Sequence, residues 1–542
     1  MNLFRSVLCL LLVLAGDHAL AQDERPNILL IVADDLGYTD LGAFGGEIPT
    51  PNLDDLAYAG VRLTNFHTGQ ACQQTRAMLM SGRGAASVIQ SNPPRADGER
   101  ANELRKNIAT LPELLGDAGY RSYMAGKWDL GLTSDVSPLA RGFDRSFSLI
   151  EASSSHFAEF FWEEASYYQE DSRRLTLDQL PEDFYSTSAY TDKMLEYLRG
   201  HDSAAPWFGY MAYTAPHWPL QVPDAWLDRH SGAYDDGYDV LRTQRARRAA
   251  ERGVIPHGAS LEYFEPTAVP WNSLSPDLQE RYARAQEIYA SMVELLDQEI
   301  GRLVAYLEET GQLENTIIFF MSDHGASAAE IGILDGPSSM APHFDTLITQ
   351  RDNSLENFGR PGSFIDHGRG FGEAATAPLR YYKGTVAEGG IRAAAFVRYP
   401  DQIARRKIDN TFATVMDLLP TFLEIAGTSH PGATSYKGRE IQSALGRSFW
   451  PSLTGSASTV HGDDKAAGWS GRGPVISGGI GAIIKGRFKL TNQPSPTAPR
   501  NGPAPPWQLY DLEADPGETH DLAPMNPELA NSLLREWQEN WQ

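Results

Sequence analysis

Four predicted strands, each ending abruptly in polar residues, restrict the fold of this chain more than any other feature. Residues 28–33 lead into Asp34-Asp35, and residues 121–125 into Gly126-Lys127-Trp128-Asp129. Residues 207–213 lead into Ala215-Pro216-His217, and residues 316–321 into Ser322-Asp323-His324-Gly325. A run that is aliphatic throughout, as 28–33 is, suits a strand covered on both faces. Between these runs lie amphipathic stretches at 53–59, 189–198 and 277–309. The longest carries Ile288, Met292, Leu295, Leu296 and Ile300 on one helical face until Gly311 stops it. Thr110 opens a further helix that ends at Gly119, a helix is expected over 415–425, and strands over 61–66 and 393–397. Alternation of this kind predicts an α/β domain.

The ends of the chain read differently. Arg5, an apolar stretch over 7–15 and the small residues Ala19-Leu20-Ala21 form the pattern of a secretory signal peptide over 1–21, too short to span a membrane. The mature chain is expected to begin near Gln22, in the periplasm or secreted. Of the two cysteines, Cys9 then leaves with the leader and Cys72 remains alone, so no internal disulfide can form. No later run is apolar enough for a membrane span. A length of 542 residues exceeds what one core usually serves. After Thr454-Gly455, short strands at 475–477, 480–484 and 488–490 alternate with Gly- and Pro-rich turns before a helix at 528–541. This divides the mature chain into a large domain, 22–455, and a small C-terminal antiparallel domain, 456–542. Two stretches, 229–270 and 326–377, lack regular periodicity and read as rims or lids of a site. A formal charge of -24 argues against nucleic acid as a partner.

Ligands of open α/β sheets bind beyond the carboxyl ends of the strands, where these four polar clusters fall. Asp34, Asp35 and Asp323 offer hard oxygen ligands for a divalent cation. An isolated Asp-Asp pair is commonly a solvated turn. Directly after a buried strand, adjacent carboxylates repel unless a cation compensates them. His324 suits either a nitrogen ligand or a core hydrogen bond. Arg76, Lys127 and Lys383 suit a tetrahedral oxyanion as a group, and surface exposure singly. His217 is a candidate general acid or a structural loop residue. Cys72 is either an inert core thiol or a site of chemistry. Arg76, four residues on, would share its face if a helix opens there.

In this order the motifs resemble the sulfatase family of the alkaline-phosphatase-like superfamily, and its bacterial arylsulfatase branch in particular. The likeness runs through Pro26-Asn27-Ile28, Asp34-Asp35-Leu36-Gly37-Tyr38, Thr50-Pro51-Asn52 and Cys72 to Arg76 with Ser81-Gly82-Arg83. It continues through Gly126-Lys127-Trp128, Ala215-Pro216-His217-Trp218-Pro219-Leu220 and Ser322-Asp323-His324-Gly325. Asn353 to Asn357, Lys383 before Glu388-Gly389-Gly390-Ile391-Arg392, and Trp507 to Leu512 with Asp515-Pro516-Gly517-Glu518 complete it. The resemblance implies a large mixed sheet sandwiched by helices with a small C-terminal antiparallel sheet. It implies hydrolysis of a small sulfate ester or sulfated sugar. Cys72 would be converted by a maturation enzyme to formylglycine, whose hydrate carries the nucleophilic oxygen and a second hydroxyl that later expels sulfate. Asp34, Asp35, Asp323 and His324 would hold one Ca²⁺, with the hydrate at position 72 as a further ligand. Arg76 would orient the formylglycine, and Lys127, His217 and Lys383 would hold the sulfate group. His217 or Lys383 would protonate the departing alcohol.

The chain departs from that pattern twice. Gln74 stands where the modification signal usually has proline, which changes the backbone freedom of the segment. Asp129 stands where the family usually has a histidine beside the formylglycine. A carboxylate there can serve as a base or hydrogen-bond acceptor, but repels an anionic substrate by about 4 kcal/mol at ~4 Å and an effective dielectric of about 20. Two other readings stand beside the sulfatase. One is a phosphodiesterase or phosphonate monoester hydrolase of the same superfamily, and the other a degenerate member that binds sulfated ligands without turnover. The basic run Arg242, Arg245, Arg247, Arg248 and Arg252 suits a solvated helical face or a guide for sulfated glycan. The aromatic run Phe157, Phe160, Phe161, Trp162, Tyr167 and Tyr168 suits core packing or a sugar platform.

Overall fold

The computed structural model describes residues 25–541 apart from 92–101, 160–166, 202–203, 335–344, 346–347, 401, 463, 472–478 and 500–501. The expected leader, the strand at 475–477 and the aromatic residues Phe160, Phe161 and Trp162 lie outside the described residues. The first half of the chain forms β1 (Asn27–Ala33), α1 (Pro51–Ala59), β2 (Val61–Leu63), α2 (Cys72–Ser81), α3 (Leu111–Asp117) and β3 (Arg121–Lys127). Then come β4 (Arg145–Leu149), β5 (Tyr168–Glu170), β6 (Arg173–Leu175), α4 (Ser186–Arg199), β7 (Trp207–Ala212), α5 (Gly237–Glu251) and α6 (Pro276–Glu309). Next are β8 (Thr316–Ser322), α7 (Gly368–Thr376), α8 (Glu388–Ile391), β9 (Ala395–Arg398), β10 (Lys407–Asp409) and α9 (Leu418–Ile425). The last part forms β11 (Ala466–Gly471), β12 (Ile480–Lys485), β13 (Phe488–Thr491), β14 (Gln508–Asp511) and α10 (Pro527–Asn540).

Ten strands make one mixed sheet in the order β10-β2-β9-β8-β1-β7-β3-β4-β5-β6. Its centre, β8-β1-β7-β3, is parallel throughout. Because successive side chains of a strand point to opposite faces, β1 feeds two cores. Leu29, Ile31 and Ala33 pack with Ile288, Met292, Leu296 and Ile300 of α6 on one side. Ile28, Leu30 and Val32 pack with Leu79, Leu111 and Leu419 on the other. Burial on both faces is why residues 28–33 of β1 read as an unbroken apolar run. The four parallel strands therefore end side by side, and their polar clusters share one edge of the sheet. α3 opens on a reciprocal cap between Thr110 and Glu113.

Several stretches differ from the sequence expectation. The stretch 229–270 contains the 15-residue helix α5, and 326–377 contains α7. α5 shows little apolar periodicity because Arg245 interrupts a buried face otherwise made by Tyr238, Leu241, Ala246 and Ala249, and charged residues fill the rest. Arg245 is fully buried against Asp40 and Glu47, and Arg248 pairs with Glu47. Of the basic run, Arg245 is thus neither solvated nor free to guide a glycan, whereas Arg247 is largely exposed. The segment 61–66 holds β2 and then a separate short strand, Phe66–His67. The outer strands β4 and β6 carry exposed Arg145, Arg173 and Arg174, which hid them from a reading based on apolar runs, and β5 between them is only three residues long. The C-terminal sheet is wholly antiparallel, β11-β12-β13-β14, with β11 and β14 beyond the strands expected. α10 packs on it through Leu533 and Trp537. Among the described residues, no helix is long and apolar enough to cross a membrane.

Candidate active site

The end of β1 is stitched to both neighbouring strands. Asp34 N–H donates to Ala215 O at 3.1 Å, and Asp323 N–H to Ala33 O at 3.0 Å. Asp35 then turns into the left-handed region, φ 66°, while its N–H donates to Asp323 Oδ1 at 3.2 Å. Gly126, at φ 121°, lets β3 approach β7 so closely that a Cβ there would stand 1.9 Å from Ala212 O. Lys127 follows it directly into the site. α2 begins at Cys72, and Arg76 shares its face one turn on. The Thr75 hydroxyl donates to Asp323 O at 2.6 Å and accepts from Gly69 N–H at 2.9 Å, which fixes the start of the helix against β8.

Ligand atoms of Asp34, Asp35, Cys72 and His324 all lie within 4.8 Å of one another and are buried. Cys72 Sγ is 3.4 Å from Asp34 Oδ1 and 3.2 Å from His324 Nε2. His324 Nδ1 lies 2.9 Å from Gly325 O, so Nδ1 carries the proton and Nε2 presents a lone pair. That lone pair faces Asp35 Oδ1 and Asp323 Oδ1, each at 3.4 Å. Burial and the nearby Lys383 hold His324 well below the ordinary histidine range, which keeps it neutral. Oxygen and nitrogen lone pairs gathered this closely are an arrangement a cation completes, in place of the protons they otherwise hold. Asp35 Oδ2 and Asp323 Oδ2 are buried without a hydrogen-bond donor among the described residues, which fits the same conclusion. Burial pushes Asp35 up to about 7, and Lys383 only partly offsets it. Burial and Asp34 likewise raise Asp323 well above the carboxylate range. This donor set can hold a divalent metal ion.

Three cations surround the cluster. Lys127 Nζ is 2.6 Å from Asp34 Oδ2, and Lys383 Nζ 2.6 Å from Asp35 Oδ1. Arg76 donates to Lys127 O at 2.9 Å, to Tyr210 OH at 3.3 Å and to Asp34 Oδ2 at 3.3 Å. Burial would raise Asp34, but Lys127, with Arg76 and Lys383, holds it well below the usual range. Desolvation would lower the two lysines, yet Asp34 holds Lys127 up and Asp35 holds Lys383 up, so both stay charged. His217 Nδ1 donates to Trp218 O at 2.6 Å, leaving Nε2 3.6 Å from Asp35 Oδ2. Burial and Lys383 keep this ring neutral too. Burial raises the Cys72 thiol well above its ordinary value, with Asp34 adding to it. Asp129 is 8 % exposed, sits at φ 52° and makes no side-chain hydrogen bond among the described residues. Burial raises its carboxyl, opposed by Lys127 and Arg76.

The candidate site residues of the sequence thus converge on one edge of the sheet. Asp323 stands slightly behind the four-residue cluster, with Oδ1 occupied by the Asp35 amide. Sequence reasoning missed Tyr210, Thr75 and Ser153, the last 3.4 Å from His217 Nδ1. Only Thr75 carried a signal, its place beside Arg76.

Likeness to known proteins extends over this whole site. The family model described as Sulfatase matches residues 26–428, and the chain belongs to the sulfatase family. An uncharacterized sulfatase of Schizosaccharomyces pombe is 38 % identical over 544 residues, covering 95 % of this chain and 93 % of that one. An arylsulfatase of Klebsiella aerogenes is 36 % identical over 430 residues, covering 77 % and 90 %. The structure of BT4656 in complex with its substrate D-glucosamine-2-N,6-O-disulfate shares the fold, with a TM-score of 0.60 and 20 % identity over 95 % and 99 % of the chains. The enzyme is a sulfatase, a hydrolase of sulfate esters.

Proposed function

We propose that this sulfatase cleaves a small sulfate ester or sulfated sugar with a nucleophile made from Cys72, beside one Ca²⁺ held by Asp34, Asp35, Asp323 and His324. The observation that carries the reading is the place of Cys72 Sγ, within 3.4 Å of Asp34 and 3.2 Å of His324, among three cations. A thiol held protonated by burial is a poor nucleophile, which favours conversion to formylglycine over thiolate chemistry. Formylglycine supplies a hydrated aldehyde at the position Sγ marks. The cation supplies Lewis acidity that lowers the pKa of a bound hydroxyl and polarises a sulfate oxygen.

The chain's own residues supply the rest. Lys127 and Lys383 remain charged in a dry site, where fixed cations offset charge on a transferring sulfuryl group. Arg76, tied to Lys127 O and Asp34, holds the first turn of α2 in register with the cluster. His217, pinned through Nδ1, offers Nε2 alone for proton transfer. Lys383, charged and with its side chain 20 % exposed at the mouth, delivers the proton to the departing alcohol, and His217 does so only where its Nε2 has first gained a proton. Asp129, one residue past Trp128, accepts a hydrogen bond from the nucleophile at position 72 in place of the family's histidine. A chain with the leader pattern of residues 1–21 meets its substrate outside the cytoplasm, and its maturation needs a formylglycine-generating enzyme.

Assays with the matched sulfate and phosphate esters of one alcohol, with and without a chelator, test the reading. Preferential, chelator-sensitive turnover of the sulfate ester supports it. Faster turnover of the phosphate ester would favour the phosphohydrolase reading, and binding without turnover the degenerate one.

A further inference from the structure

Two motifs that the proposed chemistry leaves without a task meet in the structure through one buried lysine of the C-terminal sheet. They are Glu388-Gly389-Gly390-Ile391-Arg392 and Asp515-Pro516-Gly517-Glu518. Lys489, on β13, is fully buried, with Nζ 2.8 Å from Glu388 Oε1 and 3.0 Å from Glu518 Oε1. Glu518 accepts the Glu388 N–H at 2.8 Å on its other oxygen, with its own backbone at φ 54°. Glu388 Oε2 lies 3.0 Å from His67 Nε2 and 3.7 Å from Arg392 Nη1. His67, Glu388, Lys489 and Glu518 are all solvent-free. A desolvated ion pair is weak evidence for stability, but its geometry is narrow because each charge needs its partner in place.

α8, which starts at Glu388, is wedged between two parts of the site. A Cβ on Gly389 would stand 2.1 Å from Tyr381 O, and one on Gly390 2.2 Å from Thr385 O. Only glycines let the helix lie this close to the turn that carries Lys383. On its other side, a Cβ on Gly325, beside His324, would stand 1.7 Å from Gly389 O. Gly389 N–H closes the turn onto Arg380 O at 2.8 Å. A second C-terminal side chain, Gln493, accepts the Val386 N–H at 2.8 Å. The turn over residues 381–387 thus has no slack. Its C-terminal end is held by α8, which Lys489 and Glu518 anchor, and by Gln493 at Val386, while Lys383 N–H and Gly384 N–H donate to Ala326 O and Gln70 O at 3.1 and 2.8 Å.

We propose that Lys489 is a positioning residue for Lys383. Through Glu388 and Glu518 it fixes α8, and α8 sets the turn that aims Lys383 Nζ at Asp35 and the sulfate group. The C-terminal sheet is then part of the catalytic apparatus, although it contributes no atom to the reacting centre. The inference rests on the role given to Lys383 above.

A double-mutant cycle tests it. kcat and KM for a sulfate ester are measured in the wild type, Lys383→Ala, Lys489→Met and the double variant, with thermal unfolding of each recorded alongside. In a parallel cycle Glu518→Gln replaces Lys489→Met, since its amide oxygen still accepts the Glu388 N–H while the charge is lost. The expected result is a fall in kcat of about tenfold or more in Lys489→Met, with KM changed less, and near-complete non-additivity with Lys383→Ala. Additive losses, within about twofold, would mean that Lys489 serves stability alone and would overturn the proposal. If Lys489→Met does not fold, the Glu518→Gln cycle decides by the same criterion. Undiminished activity of Lys383→Ala alone would overturn the role of Lys383, a different failure, and would leave Lys489 nothing to position.

Discussion

Asp129 adds a fourth carboxyl to a site that already holds Asp34, Asp35 and Asp323 against Lys127, Lys383 and Arg76. Its effect depends on pH. Burial raises its pKa, so the charge present at higher pH is lost as pH falls through the shifted value. A negative charge there repels an anionic ester, so KM for a sulfate ester should fall on the acid side in the wild type. In Asp129→Asn that pH dependence should be flattened, and KM at higher pH lowered by about tenfold, a third of the ~4 kcal/mol Coulomb cost at ~4 Å and an effective dielectric of about 20. Parallel pH profiles of KM check this, and identical profiles for the two proteins would contradict it. At this scale the sequence was informative where a residue's type dictates its chemistry. The carboxylates, the lysines and the lone mature cysteine stand out from residue type and position alone, because each ends an apolar run or stands in a motif. Supporting groups such as Tyr210 and Ser153 do not, since a hydroxyl recruited across the sheet leaves no local pattern.

The same division holds for elements. The central strands β1, β7 and β8 were legible because burial on both faces leaves mostly apolar residues. α5 was not legible, because its short apolar stripe of Tyr238, Leu241 and Ala249 is interrupted by Arg245, which is buried by ion pairs with Asp40 and Glu47. Nor were β4 and β6, whose exposed arginines break the apolar pattern. One junction between elements makes a testable stability contribution. Asp297 on α6 accepts from Leu53 N–H at 2.7 Å and Asn52 Nδ2 at 2.7 Å at the start of α1. Burial still outweighs these donors and raises its pKa from 3.8 to about 6. Between those values the folded state keeps a proton that the unfolded chain has lost, so the contribution of Asp297 to stability declines as pH rises through the window. The change amounts to at most about 3 kcal/mol, since a tenfold difference in proton affinity between the two states corresponds to about 1.4 kcal/mol. Denaturant unfolding of the wild type and Asp297→Asn at about pH 4 and about pH 7 should show the wild type losing ground to the variant at the higher pH. A difference independent of pH would contradict this.

For the whole molecule, a net charge of -24 and a buried trio of carboxylates at one edge make cation binding a matter of stability as well as catalysis. A cation that binds only the folded state at a hundred times its Kd stabilises by about 2.7 kcal/mol. Chelation should therefore lower the unfolding temperature, and Ca²⁺ should restore it. In a chain lacking the Asp34 and Asp35 carboxylates, Asp34→Asn with Asp35→Asn, neither addition nor removal should move it. An unfolding temperature indifferent to chelator in the wild type would argue against a resident cation. The domain-level feature hardest to reach from sequence is the intimacy of the C-terminal sheet with the site. Trp469 Nε1 donates to Thr68 O at 2.7 Å and Gln70 Nε2 to Ser470 O at 3.1 Å, just ahead of Cys72. Such contacts join residues about 400 positions apart, and no local pattern announces them.

The central claim is that Cys72 becomes the nucleophile despite Gln74 at the usual proline position. Mass spectrometry of the tryptic peptide from Leu63 to Arg76, taken from active protein exported by its own host, tests it most directly. The account predicts an aldehyde at position 72, with turnover lost when Cys72→Ala removes it, by about 10⁴-fold or more. An unmodified thiol in fully active enzyme would contradict it.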